Sequence, residues 1–497
     1  MDRVIDKLQQ SYSFSGVSLL SLLGIIFIAY VGQAALPAFN ADDVIQAQYP
    51  SDAYNFIAQG RWAYFLTYAK LQSALPSPIV STLLGSVFLL ATALLACSLF
   101  GFDRKYQVYS FVLISSVSLY YGMLFSFDST RLAYPLGNFV AILGLFYLAK
   151  QDWRQNLVGL AFLSLAPAFY PASTELAATV FLSLFLLSLL DRFERYSVRR
   201  IIVMALAIVA SLLGYLLLTK ILYFLTGWLI GARTDIDPLA VFSRYGEIIC
   251  LFSEHSLPVF NFQSCQRPGF QSQQGVYING AMAILFVSFN AFCIQKLWCK
   301  RQLAYIALFL VAQGLLLLAP FGLIFASKNS PFPPRSLYSV SYIYAFFLVV
   351  VLGASLTSKV KILQLFSKGI MALGVLWVVV SMITLSNKAF SEYTQSQRNL
   401  YAANRILLDI ERVLSSSDKA GNHRVDLVVV NDKPRIGGVL HIPWSRERVY
   451  HLLDPRYEAA SDTERKRVME GALDRPVWPA EGSIYFDQNT LVVVLSR

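Results

Sequence analysis

The feature that most constrains this chain is the recurrence, from residue 17 to about residue 387, of uncharged apolar runs of membrane-spanning length. Hydrocarbon offers no water to satisfy peptide N–H and C=O groups, so such runs fold as helices that close their own hydrogen bonds. The runs are read as spans at 17–36, 78–99, 107–125, 132–149, 156–170, 175–190, 201–225, 276–295, 303–326, 337–357 and 369–387. Only 14% of the 497 residues are charged, against about 25% in a soluble globular chain. The net charge of +11 is carried in short clusters between apolar runs, which is the signature of membrane topology rather than of nucleic-acid binding.

Those clusters set an expected orientation. Arg3, Lys7, Arg104, Lys105, Lys150, Arg154, Arg192, Arg195, Arg199, Arg200, Lys296, Lys300, Arg301, Lys359, Lys361 and Lys368 all fall on one side, which the positive-inside rule makes cytoplasmic, N-terminus included. An odd number of spans then puts the C-terminal tail outside. The first run, Val17–Leu36, is longer than a signal peptide requires and is read as an uncleaved span. Cytoplasmic links are short, whereas the outer segments Pro37–Pro76, Thr226–Gly275 and Ser327–Ser336 are long and mixed in character. Long loops on a rigid scaffold are where binding and catalytic groups tend to sit.

The expected fold is therefore an all-α polytopic membrane bundle of about eleven transmembrane helices over residues 1–387, followed by a small extracytoplasmic α/β domain over 388–497. Within the first outer loop (37–76), Ser51 to Lys70 carries Tyr54, Ile57, Ala58, Trp62, Phe65 and Ala69 at helical spacing. That helix lies either in the membrane interface or against the bundle, and walls an outward cavity in both cases. In the tail, 391–415 has helical periodicity with Ala403, Leu407, Ile410 and Leu414 on one stripe. Val425–Val430 and Leu491–Leu495 read as buried strands, and Ala459–Leu473 as a polar helix. His423, His441 and His451 fit no metal-ligand spacing, so no metal site is expected. Cys250 and Cys265 share one outer loop; they pair as a disulfide in an oxidising compartment or remain two thiols.

Several residues of the outer face carry possible chemistry. Asn40 is followed by Ala41 and the adjacent carboxylates Asp42 and Asp43, just past the first span. Asp42 either caps a short helix or, beside low-dielectric surface, has a raised pKa that suits it to accept a proton from an alcohol. Arg61, between Gly60 and Trp62, Arg131 in the link that contains Asp128, and Lys328 and Arg335 around a Pro-rich turn share that face. Singly, each snorkels or pairs with a carboxylate; as a set beside two acids they suit a phosphate site. Glu175 follows Tyr170-Pro171-Ala172-Ser173-Thr174 at the head of a span, where it either complements the helix N-terminus or serves a polar cavity. There is no Gly-rich phosphate loop, Gly-x-Ser-x-Gly or Cys-x-x-Cys. Nor is there room for a cytoplasmic nucleotide-sugar domain, so any sugar donor comes from the membrane.

Taken in order, Asn40, Asp42 and Asp43, then Gly60-Arg61-Trp62, Ser126-Phe127-Asp128-Ser129, Tyr170-Pro171 and Pro334-Arg335-Ser336 resemble the type II glucosyltransferases of bacterial O-antigen modification, including phage-encoded serotype-converting enzymes. The chain departs from the family where Tyr170 is followed by proline rather than the frequent glutamine. The resemblance implies a GT-C-type bundle in the bacterial inner membrane with its active site in the first extracytoplasmic loop. It also implies a polyprenyl-phosphate sugar donor, commonly glucose, and a lipid-linked or polymeric glycan acceptor. The donor is a substrate and no cofactor is implied; a divalent-metal requirement stays open. On this reading Asp42 or Asp43 is the base, and Arg61, Arg131, Arg335 and Lys328 meet the lipid phosphate. Asn40, Trp62, Asp128, Tyr170 and Glu175 line the substrate cavity. The competing classes are a transporter or flippase of lipid-linked sugars, which calls for polar mid-span residues and an internal repeat, and another GT-C activity such as protein glycosylation or glycan polymerisation.

Overall fold

The computed structural model describes residues 16–36, 38, 56–57, 59–72, 77–150, 152–227, 273–298, 303–322, 336–357, 360–416, 425–431, 440, 446–472 and 474–496. Its helices are α1 (Gly16–Ala35), α2 (Trp62–Leu66) with a π-helical turn Thr67–Gln72, α3 (Pro78–Phe100), α4 (Lys105–Ser116), α5 (Leu119–Phe125), α6 (Ala133–Leu148), α7 (Trp153–Phe169), α8 (Ala172–Leu190), α9 (Val198–Thr226), α10 (Gln273–Trp298), α11 (Leu303–Leu318), α12 (Ser339–Thr357) and α13 (Lys361–Ser415). The tail adds β1 (Val425–Asn431), α14 (Arg446–Leu453), β2 (Tyr457–Ala459), α15 (Asp462–Ala472), β3 (Ile484–Asp487) and β4 (Thr490–Ser496). The chain is a membrane protein: among the described residues eight helices are long and apolar enough to cross a bilayer, and α4 with α5 makes a ninth if that bent pair is one span. Helices also cover the other expected runs: α7, of 17 residues, and α10 over Gln273–Trp298.

Local sequence explains where these helices begin and end. Pro78 occupies the first turn of α3, and Gly101 closes the helix in the left-handed conformation at φ 65°. The Asp152 carboxylate accepts from Arg154 N at 3.1 Å to start α7, and Ser197 Oγ accepts from Arg200 N at 3.3 Å to start α9.

Two compact units are present. The larger takes in the described residues up to Val31, those of Tyr54–Phe125 and those of Thr130–Ser386; the smaller takes in those of Gly32–Ala53, Ser126–Ser129 and Asn387–Arg497. In the larger unit lipid is as apolar as the core, so burial alone does not draw helices together and close packing must do so. At the α6–α7 crossing a Cβ on Gly159 would lie 2.7 Å from Gly144 O, and one on Gly144 would lie 2.9 Å from Gly159 O. Only paired glycines allow that approach.

The expected span 107–125 is not one straight helix. It breaks at Val117-Ser118 into α4 and α5, bent by 53°. The freed backbone groups are satisfied from elsewhere. The Tyr30 hydroxyl donates to Ser116 O and accepts from Ser118 N, and Ser341 Oγ donates to Ser115 O at 2.9 Å. The expected helix over 51–70 is likewise interrupted, because the chain turns at Gln59-Gly60 with Gly60 at φ 79°. Its described part is packed into the bundle: Ile57, Ala63 and Tyr64 are buried.

In the smaller unit four strands form a sheet in the order β2-β1-β4-β3, with β1 parallel to both neighbours and β3 antiparallel to β4. Both faces of the central strands are covered, which is why they read as unbroken apolar runs. Val425, Leu427, Val429, Leu491 and Val493 meet Ala403, Ile406 and Ile410 of α13, whereas Val428, Val430, Val492 and Val494 meet Val468 and Ala472 of α15. The helix expected over 391–415 is the end of α13, which runs unbroken from Lys361. Lys388 and Glu392, an i,i+4 pair at 3.3 Å, support it where apolar sequence gives way to polar. β2 pairs with β1 only as far as Leu427. Beyond it, Val429 N donates to Glu447 Oε1 at 3.1 Å and Val429 O accepts from Arg446 Nη1 at 3.0 Å, so two side chains stand in for the missing strand.

Candidate functional site

The Gly60-Arg61-Trp62 segment is held by the larger unit through a single helix. On α9, Tyr215, Thr219 and Tyr223 recur every four residues and so share one face. Tyr215 Oη donates to Gly60 O at 3.1 Å; Tyr223 Oη accepts from Gly60 N at 3.0 Å and donates to Ile57 O. Trp62 Nε1 donates to Thr219 Oγ1 at 3.3 Å. Gly60 is required twice over: its φ is 79°, and a Cβ there would lie 2.1 Å from Tyr215 Oη.

This anchoring presents Arg61 to a group of aromatic rings. Its Nη1 donates to Tyr134 Oη at 3.2 Å, and its guanidinium carbon lies 5.2 Å from the centroid of the Tyr170 ring. Tyr134 and Tyr170 stack at 3.9 Å with their planes 9° apart, and Tyr64 tilts against Tyr134 at 5.5 Å. Nε of Arg61 is buried without a hydrogen-bond partner, and no carboxylate among the described residues pairs with this cation. Burial opposes the charge, but the surrounding phenols, led by Tyr134, favour it, and the net effect holds the pKa above its ordinary value. A guanidinium is in any case never deprotonated in a protein.

Deeper in the same unit the rings continue into a hydroxyl and amide network. Tyr170 lies 6.4 Å from Tyr338, which stacks on Tyr121 at 5.0 Å. Asn138 Nδ2 donates to Tyr121 Oη at 3.1 Å, and Ser173 Oγ donates to Asn138 Oδ1 at 2.9 Å. Two residues further along, Glu175 is only 5% exposed, with Gly322 beside its carboxylate.

The structure thus brings Arg61 and Tyr170 together. Trp62 is beside them but gives its indole N–H to α9. Arg131 has a different setting: it is buried, and its Nε donates to Phe125 O at 2.7 Å. With Thr130 Oγ1 on Leu124 O it closes the C-terminal end of α5. Asp128 belongs to the smaller unit, where Lys388 Nζ donates to Ser126 Oγ at 3.2 Å. Asn40, Asp42, Asp43, Cys250, Cys265, Lys328 and Arg335 lie outside the described residues.

Sequence reading overlooked Tyr134, Asn138, Tyr338 and the α9 stripe. The available signal was the four-residue spacing of Tyr134 with Asn138 and of Tyr215 with Thr219 and Tyr223 in otherwise apolar runs.

A half-buried arginine with no acidic partner among the described residues, facing stacked tyrosines, suits an anionic ligand with an apolar or sugar portion. The family model for the glucosyl transferase GtrII matches residues 35–352, well over half of the chain. The chain belongs to the GtrII glucosyl transferase family. No curated protein and no solved structure matches it. In this GtrII-family glycosyltransferase the matched region includes Arg61, Tyr134, Tyr170, Glu175 and the α9 stripe, and ends before α13 and the C-terminal sheet.

Proposed function

We propose that this chain transfers a glucosyl residue from a polyprenyl-phosphate donor to a hydroxyl of a lipid-linked or polymeric surface glycan such as O-antigen. The reaction occurs at the extracytoplasmic face of the bacterial inner membrane, into which the tail from residue 388 projects. The observation that carries this reading is Arg61: its guanidinium is half-buried among tyrosines, its Nε is buried without a hydrogen-bond partner, and no carboxylate among the described residues pairs with it, so an anion would complete it; the glycosyl donor that comes from the membrane is a phosphate ester.

In the proposed step the acceptor oxygen attacks the anomeric carbon from the face opposite the phosphate. The bond from that carbon to the phosphate oxygen breaks, its electron pair leaves with the polyprenyl phosphate, and the anomeric configuration inverts. The acceptor proton passes to the carboxylate of Asp42 or Asp43, the other acid holding the acceptor or keeping the two pKa values apart. Arg61 stabilises the charge that builds on the departing phosphate. Arg335 and Lys328 are proposed to share that role, with Arg131 contributing less because its Nε is committed to Phe125 O. Trp62, Tyr170 and Glu175 of the larger unit line the substrate cavity in this scheme.

The test is reconstituted protein supplied with a glycan acceptor and either polyprenyl-phosphate glucose or a nucleotide glucose, alongside Asp42→Asn and Asp43→Asn. Transfer with inversion from the lipid donor alone, abolished by one of the two asparagines, is expected. Direct use of the nucleotide sugar, or full transfer by both folded variants, would refute the scheme.

A further inference from the structure

We infer that Tyr215, Thr219 and Tyr223 are positioning residues that set where the Arg61 guanidinium stands, an inference that rests on Arg61 binding the donor phosphate. Arg61 lies between two fixed points. On one side, both backbone polar groups of Gly60 are held: its N–H by Tyr223 Oη at 3.0 Å and its C=O by Tyr215 Oη at 3.1 Å. On the other, the Trp62 indole is held by Thr219 Oγ1 at 3.3 Å. Tyr223 also secures Ile57 O, one turn earlier. The three hydroxyls of α9 act on the backbone and side chain that flank the guanidinium, and Tyr215 is in addition close enough to favour its charge.

The chemistry favours a positioning role over simple packing. A tyrosine or threonine in an apolar run gains nothing from lipid through its hydroxyl, and phenylalanine or valine would fill the same volume. The hydroxyls are instead spent on a turn that Gly60 shapes so tightly that a Cβ would collide with Tyr215 Oη. A turn fixed this firmly carries its arginine at one height against Tyr134 and Tyr170, which is what a phosphate-binding cation needs for a preformed site. The three hydroxyls therefore act on donor binding through Arg61 and leave the acceptor untouched.

The experiment uses the full chain reconstituted in lipid, comparing wild type with Tyr215→Phe/Tyr223→Phe, which keeps both rings, and with Thr219→Val. KM is measured for polyprenyl-phosphate glucose and for the acceptor, binding is measured for polyprenyl phosphate without its sugar, and hydrogen exchange is followed over residues 56–66. The double variant loses three hydrogen bonds, two of them to Gly60, which corresponds to an effect of about tenfold or more. Donor KM and polyprenyl-phosphate Kd are expected to rise by that factor in the double variant, with acceptor KM unchanged and exchange over 56–66 accelerated. In an Arg61→Ala background the same phenylalanines are expected to make no further difference to kcat/KM for the donor. Variants that bind polyprenyl phosphate as wild type does, or an effect undiminished in the Arg61→Ala background, overturn the positioning role alone. A wild type that binds no polyprenyl phosphate overturns the functional reading and this inference with it.

Discussion

Arg61 lies with its guanidinium carbon 5.2 Å from the centroid of the Tyr170 ring, while its Nη1 donates to Tyr134, the ring stacked on Tyr170. One cation thus rests on two rings that brace each other, one supplying a π face and the other a hydroxyl.

That arrangement separates the ring of Tyr170 from its hydroxyl. Tyr170→Phe keeps the face and is expected to leave donor KM within about twofold, whereas Tyr170→Leu removes an interaction worth about 0.5–2 kcal/mol. Donor kinetics on the two variants provide the check: a Tyr170→Leu protein with unchanged donor KM would remove the ring from the account.

The α6–α7 crossing depends on the absence of side chains. Gly159→Leu forces a Cβ to within 2.7 Å of Gly144 O and 2.9 Å of Leu148 Cγ, at a cost of about 1–3 kcal/mol from overpacking. Gly24→Leu on α1, where nothing lies within 4 Å, is the matched control. Thermal unfolding in detergent should show a lower midpoint for the first and an unchanged one for the second; equal midpoints would mean the helices separate at no cost.

The tail carries a pH dependence centred on Glu447. Burial pushes its carboxyl above the ordinary value of 4.5, with Arg465 at 3.1 Å and the Val429 amide pulling the other way. The folded tail therefore holds this proton more tightly than the unfolded one. Its contribution to stability is complete below 4.5 and is lost as pH rises through the raised value. Asp454 acts in the opposite sense: its bonds to Arg456 hold it below 3.8, so its contribution is present above 3.8 and is lost as pH falls. Between them the Glu447 effect governs mildly acidic conditions. Exchange protection over Val425–Asn431, corrected for intrinsic rates, should decline as pH rises from 4.5, and Glu447→Gln should flatten that decline. A wild-type profile without any decline would contradict the assignment.

Much of this architecture was legible because lipid simplifies the problem: a long uncharged run has one stable fold, and helices stand at each such run. The breaks were not legible. Val117-Ser118 contains neither proline nor glycine, and what makes the bend tolerable is Tyr30 and Ser341, distant in sequence, which satisfy the freed backbone. The continuity of α13 was hidden for the opposite reason, since the change from apolar to polar composition near Lys388 reads as a boundary although the helix carries on through it. Of the site, the Gly60-Arg61-Trp62 segment stood out because a charge beside a glycine and an aromatic is rare in such a chain. Its partners did not. Tyr134, Tyr215, Thr219 and Tyr223 sit within apolar runs and look like ordinary parts of a span until their hydroxyls are seen to be used. Arg131, by sequence an equal of Arg61, proved to be a helix-closing residue, a distinction that depends on where the Phe125 carbonyl points.

The central claim is that Arg61 holds the phosphate of a membrane-borne glucosyl donor. The most direct measurement is the transfer rate from polyprenyl-phosphate glucose to a lipid-linked glycan by wild type, Arg61→Lys and Arg61→Ala, each shown to be folded by its thermal midpoint. Loss of one preorganised charge-stabilising group costs about a hundredfold or more, so Arg61→Ala should fall by at least that factor and Arg61→Lys, which keeps the charge but not the planar fork, should recover part of it. A folded Arg61→Ala protein that transfers glucose at the wild-type rate would contradict the account.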